Sequence, residues 1–271
     1  MRDRRNPANS RHRQGRDQLP SRQRGRQSLL CEPGIRRDRP HRIRRGPCGA
    51  VAVTGTNAVH DPALARALVS LAPPAILVDH RLIATGDENA LLAEEADTIP
   101  SSAIAIRRAS GAARIVGRGL LDRLGCPRAA LPRAASGEVR WPPGLVGSFA
   151  HDERVAIAAL ARARDIAALG IDIEPAAPLA PEVLDLVAIP RERPAAANDP
   201  LRGRLLFCIK EAVYKALYPR DREFLEFHDI AVDMAGQTAV TRQGRALRIA
   251  LGVATHVVAL AWIETAGLQK G

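Results

Sequence analysis

Every unit of the chain's net positive charge lies in its first 50 residues, and that confines the foldable sequence to the residues beyond them. The chain of 271 residues carries a formal charge of +11, and residues 1–50 hold 15 arginines against Asp3, Asp17, Glu32 and Asp38. The other 221 residues balance 25 basic against 25 acidic groups. The leader ("MRDRRNPANSRHRQGRDQLPSRQRGRQ") has few apolar residues and neither helical nor strand period, so residues 1–59 are expected to be a disordered Arg-rich tail. Such a tail can contact RNA, DNA or anionic lipid, or act as a transit peptide, although its four acids count against the last. The plainer reading, a solvated extension or a start codon placed too far upstream, is favoured. A neutral body in a chain only 3% aromatic argues against a nucleic-acid-binding fold, so nucleic acid is expected only at the tail.

At 46% hydrophobic the chain can bury a core, which its low aromatic content makes mostly aliphatic. Cys31, Cys48, Cys126 and Cys208 lack CxxC spacing, so neither a zinc site nor a disulfide framework is indicated and a reducing compartment fits. The N-terminus has no apolar signal region, and no apolar run approaches the roughly 18 residues of a membrane span. A soluble, cytoplasmic protein is expected.

Periodic sequence begins near residue 60. "DPALARALVSLAP" reads as a helix with Asp61 as cap and Pro62 at its first position. "PAILVDHRLI" reads as a strand. "SSAIAIRRASGAARIVGRGLLDRLG" reads as a helix stopping at Gly125, with Ile106, Ala113, Val116, Leu120 and Leu124 as its buried contacts. Arg107, Arg114 and Arg118 on it fall within about 20° of one face. "LVGSFAH" and "VAIAALA" follow as apolar segments, and "RARD" turns the chain into "IAALGIDI" as a hairpin. "PEVLDLVA" suggests a short helix. "DPLRGRLLFCIKEAVYKALYP" is the longest helix, with Asp199 as cap, Pro219 as stop, and Leu205, Ile209, Ala212 and Ala216 as its apolar stripe. "DIAVDM", "TAVTRQ", "ALRIALG" and "HVVALAWIE" read as closing strands. Helices among antiparallel strands indicate an α+β fold.

"LGIDIEP" (169–175) raises a physical problem. Alternation puts Ile171 and Ile173 toward a core and Asp172 and Glu174 together on the other face. Two such charges about 5 Å apart repel by roughly 3 kcal/mol at an effective dielectric near 20, so solvent or a cation must offset them. On the long helix, Glu211 and Lys215 are four residues apart and share a face. Each signal alone is ordinary: a solvated strand face, a surface ion pair worth a few tenths of a kcal/mol, a polar loop residue at His151.

In order, they are more specific. "GSFAH" (147–151), "GIDIE" (170–174) and "FCIKEAVYKA" (207–216) resemble the signatures of the 4′-phosphopantetheinyl transferases, and most closely the enterobactin-synthetase component D and surfactin-type branch. "GAARIVGRGLLDRLG" resembles the family's arginine-rich helix, "VRWPPGLVGS" its lead-in to the first motif, and "FLEFHDI" and "HVVALAW" its closing strands. The resemblance spans about residues 105–263.

The resemblance implies two similar α/β half-domains related by a pseudo-twofold, residues 60–164 and 165–271, with coenzyme A in the cleft between them. It implies a monomer that moves phosphopantetheine from coenzyme A to a serine of an apo acyl, aryl or peptidyl carrier protein, in siderophore (enterobactin-like) or other nonribosomal peptide synthesis. It implies Mg²⁺ held by Asp172, Glu174 and Glu211, with Glu211 as general base and Lys215 steadying the leaving phosphate. His151, Lys210, Arg114, Arg118, Arg107 and Arg140 match positions expected around the phosphates and adenosine of coenzyme A. Four positions depart from the pattern: Ala150 replaces a hydroxyl residue, Arg154 a glycine, Gly119 an arginine and Phe207 a tryptophan. Two other readings remain open, a basic-tailed nucleic-acid-binding protein and a non-catalytic relative that binds carrier proteins.

Overall fold

In the computed structural model, residues 59–99 and 101–266 are described. The Arg-rich leader read as a disordered tail lies outside them, apart from Val59, whose carbonyl accepts from the Leu82 amide at 2.8 Å. Helix α1 (Pro62–Leu71) starts as its sequence dictates: Asp61 Oδ1 accepts from the amides of Ala63 and Leu64, and Pro62 occupies the first turn.

A three-stranded antiparallel sheet follows in the order β1 (Ile76–Leu82), β3 (Val155–Arg162), β2 (Leu145–His151). Between β1 and β2 the chain makes a 3₁₀ turn (Asp87–Ala90), the one-turn helix α2 (Ala93–Ala96) and the long helix α3 (Ile104–Arg123). Val116, Leu120 and Leu121 of α3 pack on Ala158 and Leu160 of β3. The second sheet is five-stranded and antiparallel, in the order β4 (Ile166–Pro175), β8 (His256–Glu264), β7 (Ala246–Val253), β6 (Thr238–Thr241), β5 (Ile230–Asp233). Helices α4 (Pro181–Val187) and α5 (Arg193–Asn198) lead to α6 (Arg202–Asp221), which lies against this sheet. The mixed α+β expectation holds. Among the described residues no helix is long and apolar enough to cross a membrane.

Strand β4 is buried on both faces, and that fixes the site. Ile171 and Ile173 enter a core shared with Leu64, Ile157 and Leu260, each contributing about 1.5–3 kcal/mol of burial. The opposite face meets α6, where Ala168, Ala259 and Ala261 pack on Ile209, Ala212 and Ala216. A slip of one residue would exchange isoleucines for carboxylates in the first core, so the register is strongly specified.

Four expectations are corrected. Asp199 does not cap α6: the helix begins at Arg202 with Leu201 in the cap position, and Asp199 Oδ1 accepts from the Leu201 amide at 2.9 Å. The segment before "RARD" does not form a hairpin with β4: β3 pairs with β1 and β2, whereas β4 pairs with β8, Asp172 opposite Ala259 and Glu174 opposite Val257. The turn carries the chain from one sheet to the next, because a strand apolar on both faces is satisfied by two packed layers rather than by a two-stranded ribbon. Pro219 does not stop α6, which runs on to Asp221 and ends where Arg222 adopts φ 55°; a proline costs little in a last turn whose remaining residues are few. Ile106 is 37% exposed and stands outside the core, while Ala113, Val116 and Leu120 are buried as expected.

Candidate active site

Helix α6 sits so close to β4 that only glycine fits at the contact. A Cβ on Gly170 would lie 1.9 Å from the Ala212 carbonyl oxygen and 2.6 Å from the Ala216 amide nitrogen. This approach brings the strand acids against one stripe of the helix. Arg204, Cys208, Glu211 and Lys215 are spaced by four, three and four residues, which places them on one helical face. Lys215 Nζ donates to Asp172 Oδ1 at 2.6 Å, and Arg204 Nη1 donates to Glu174 Oε2 at 2.7 Å.

The strand carboxylates are therefore offset by helix cations, one at each end, with Glu211 between them in the stripe. Three acids and two cations thus share the contact between β4 and α6. Glu211 is 1% exposed and acts electrostatically on Lys215: burial opposes the ammonium charge, but attraction by Asp172 and Glu211 outweighs it and raises the Lys215 pKa. Burial, reinforced by repulsion from Asp172, pushes Glu174 up to about 7, with Arg204 and Lys215 pulling the other way.

The residues fit a divalent cation. Asp172 Oδ2 is buried without a hydrogen bond, a state that is costly for a carboxylate oxygen unless something completes it. Hard carboxylate oxygens are the donors Mg²⁺ takes. Another set of donors, His60, Asp79 and His80, has atoms within 4.8 Å of one another. There, however, His80 Nε2 accepts from the Asp61 amide at 2.8 Å, which leaves the ring proton on Nδ1 and makes that nitrogen a poor ligand.

The Glu174 shift has a testable sign. A carboxylate whose folded pKa lies above its unfolded value of 4.5 costs stability as pH rises through the window from there to about 7, and a bound cation removes that cost. The rise in melting temperature produced by Mg²⁺ is expected to be small near pH 5 and larger near pH 8. In Glu174→Gln the increment should lose most of this pH dependence, which differential scanning fluorimetry can follow.

Further basic groups lie near Lys215. Arg114 of α3 is 5% exposed; it donates to the Ser110 carbonyl at 3.3 Å, leaves Nε buried without a partner, and lies 5.6 Å from the Phe149 ring centre. Among the described residues it makes no ion pair. Burial, with Arg133 and Arg118 nearby and Glu95 opposing them, lowers its pKa to about 10, so it stays charged at neutral pH. His151, at the end of β2, is solvent-accessible but walled by protein. That desolvation lowers its pKa, and Lys215 and Arg114 add repulsion. Arg114 and Lys215, from two helices, thus both act on His151 of β2, an arrangement suited to an anion.

Other expected site residues lie elsewhere. Lys210 is fully buried and binds Glu192 Oε2 at 2.7 Å and the Val187 carbonyl at 2.8 Å. Glu192 in turn accepts from the amides of Ile189 and Val232, so Lys210 belongs to a buried knot joining α6, the α4–α5 connection and β5 rather than to a phosphate pocket. Arg118 is spent on Glu95 Oε1 at 2.7 Å and the Ala90 carbonyl at 2.6 Å. Glu95, fully buried, also accepts from the amides of Leu92 and Leu131. Arg107 is half-buried and Arg140 exposed, and among the described residues neither makes an ion pair. Sequence reasoning missed Arg204, Glu192 and Glu95. The seven-residue spacing from Arg204 to Glu211 was a usable signal; nothing local marked the two glutamates.

The departing positions are accommodated. Ala150 is buried in the ladder opposite Ile157. Arg154 is exposed in the β2–β3 turn. Gly119 has open space around it. The Phe207 ring packs 5.5 Å from that of Phe227.

Residues 168–261 match the model of the 4′-phosphopantetheinyl transferase superfamily, and residues 94–161 match that of the 4′-phosphopantetheinyl transferase N-terminal domain. The chain is 42% identical over 137 residues to the 4′-phosphopantetheinyl transferase Svp of Streptomyces mobaraensis, covering 48% of this chain and 56% of that protein. It is 38% identical over 145 residues to the 4′-phosphopantetheinyl transferase PptT of Mycobacterium tuberculosis, covering 51% and 63%. The figures for the 4′-phosphopantetheinyl transferase Npt of Nocardia iowensis are 40% over 120 residues, covering 43% and 54%. The match thus spans between about half and two thirds of each relative's length. With both family models aligned in order along one chain, and with the matched segments carrying the acid stripe, this protein belongs to the 4′-phosphopantetheinyl transferase superfamily.

Proposed function

We propose that the protein transfers phosphopantetheine from coenzyme A to a serine hydroxyl of an apo carrier protein, with release of adenosine 3′,5′-bisphosphate. One observation supports the reading: Lys215 and Arg204, on the same face of α6 as Glu211, bind Asp172 and Glu174 of β4, while Lys215 and Arg114 both act on His151. The two sheets are read as two halves, residues 60–164 and 165–271, with coenzyme A between them.

Asp172, Glu174 and Glu211 would hold Mg²⁺, which when bound neutralises the diphosphate and polarises the phosphorus under attack. Glu211 takes the serine proton as the serine oxygen forms its bond to that phosphorus, because a neutral hydroxyl attacks poorly. The bond from phosphorus to the bridging oxygen breaks, and its electron pair leaves with adenosine 3′,5′-bisphosphate. Lys215 supports the charge that develops there. Arg114 and His151 hold the 3′-phosphate and keep the diphosphate in line with the acids.

Acyl, aryl and peptidyl carriers share the serine this chemistry needs. Siderophore or other nonribosomal peptide synthesis is the proposed setting, after the enterobactin-synthetase and surfactin-type branch that the motifs resemble. A cytoplasmic monomer accords with this reading.

The test is direct. Purified protein, coenzyme A and Mg²⁺ are incubated with a panel of apo-carriers, and intact mass is measured. Addition of one phosphopantetheine to a carrier, with equal release of adenosine 3′,5′-bisphosphate, is expected; carriers that bind but keep their mass would favour a non-catalytic relative. Replacing Arg114 by Gln is expected to raise KM for coenzyme A about tenfold or more with a smaller change in kcat, since a charge-assisted contact contributes about 1.5–3 kcal/mol. An unchanged KM would remove Arg114 from the pocket.

A further inference from the structure

Resting on the transferase reading, we infer that Arg204 is a positioning residue for the acid Glu174, fixing that carboxylate beside Asp172 and Glu211 and so setting the affinity of the site for its divalent cation. Arg204 holds two things at once. Nη1 donates to Glu174 Oε2 at 2.7 Å, and on the loop side Nε donates to the Ala177 carbonyl at 3.1 Å and Nη2 to the Pro178 carbonyl at 3.5 Å. The guanidinium thus joins the end of β4 to the loop that leaves it. The bond engages a single oxygen of Glu174, so the other is available to a metal.

The base of Arg204 is itself fixed. At Gly203, one residue earlier, a Cβ would lie 3.0 Å from Leu184 of α4 and 3.4 Å from Leu179 of that loop, so α6 enters against both with little slack. With side-chain exposures of 18% for Arg204 and 22% for Glu174, the pair is better sheltered than a surface ion pair, whose geometry contributes little. Without Arg204, Glu174 would face the repulsion of Asp172 with no cation of its own, because Lys215 is already held by Asp172. Its carboxylate would then turn toward solvent. A metal binding afterwards would have to recover the lost geometry, and groups that orient ligands in this way typically change metal affinity by about 10–100-fold.

Arg204→Gln and Arg204→Lys separate positioning from scaffolding. Mn²⁺ binding is followed by electron paramagnetic resonance with coenzyme A present, alongside the Mg²⁺ dependence of carrier modification. Circular dichroism and melting temperature check the fold. R204Q is expected to weaken Mn²⁺ binding about tenfold or more and to raise the half-saturating Mg²⁺ concentration by a similar factor, with the rate at saturating Mg²⁺ within a few-fold of wild type. R204K should recover only part of the affinity, since an ammonium lacks the planar fork that reaches the acid and the loop carbonyls together. If R204Q does not fold, R204K carries the comparison and should still bind Mn²⁺ more weakly than wild type.

A folded variant that binds Mn²⁺ as tightly as wild type, or more tightly, overturns the inference alone. Wild-type protein that binds no Mn²⁺ and modifies no carrier overturns the transferase reading and this inference with it.

Discussion

Replacing Glu211 by Gln is expected to lower the rate of carrier modification by about 10³-fold or more while leaving the fold in place. The exchange keeps the side chain's shape and removes its charge and its basicity. Glu211 is buried in the stripe between the two cations that hold Asp172 and Glu174. As a proposed metal ligand it donates charge to the cation, and as a proposed base it accepts the serine proton. Loss of one ligand alone weakens metal binding, whereas loss of the base lowers the rate even when metal saturates. A fall in rate at saturating Mg²⁺, with circular dichroism unchanged, would place Glu211 as the base, and a higher half-saturating Mg²⁺ concentration would place it as a ligand as well. Retention of more than about a tenth of the rate would remove it as the base, since positioned proton transfer contributes about 10²–10⁴-fold.

Its neighbour should behave in the opposite way. Lys210→Met is expected to destabilise the protein by about 3–5 kcal/mol, because it leaves the Glu192 carboxylate buried without its cation. Glu192 would keep the amides of Ile189 and Val232, which are neutral donors and compensate only in part. Removing both partners, as Lys210→Met with Glu192→Leu, should cost less than the single change, since no charge then remains buried. Denaturant titration measures both. At temperatures where K210M is folded, its KM for coenzyme A should stay near the wild-type value. A stable K210M with a raised KM would return Lys210 to the phosphate pocket that its sequence position suggests.

The contrast between residues 210 and 211 shows what the sequence can and cannot reveal. Adjacent residues on a helix point about 100° apart, so one of the pair can meet the strand acids while the other enters a separate core. The motif marks both alike. Which face meets β4 depends on the contact at Gly170, and that contact is made between segments more than 40 residues apart in the chain. The same holds for Arg118, which shares a face with Arg114 but lies beside Glu95, a residue supplied by a one-turn helix that has no strong pattern of its own.

Local signals are legible where the answer is local. Asp61 and Pro62 begin α1 as their types require, and the alternation in residues 169–175 puts two isoleucines in a core and two acids on the other face. The closing strands are legible from their apolar runs. Pairing is less so: an apolar run such as β3 or β4 fits several neighbours, and the two strands on either side of one short turn enter different sheets. The cations that answer the repulsion between Asp172 and Glu174 come from a helix about 30–45 residues away, in a stripe of which only Glu211 and Lys215 stand out in the sequence.

The measurement nearest to the central claim counts bound manganese. Titration of Mn²⁺ into protein and coenzyme A, read by electron paramagnetic resonance, should show one tight ion per chain, lost in Asp172→Asn and in Glu211→Gln while both variants remain folded. Binding that survives both substitutions unchanged, or no tight ion in the wild-type protein, would contradict the assembly of β4 and α6 acids into a metal-holding active site.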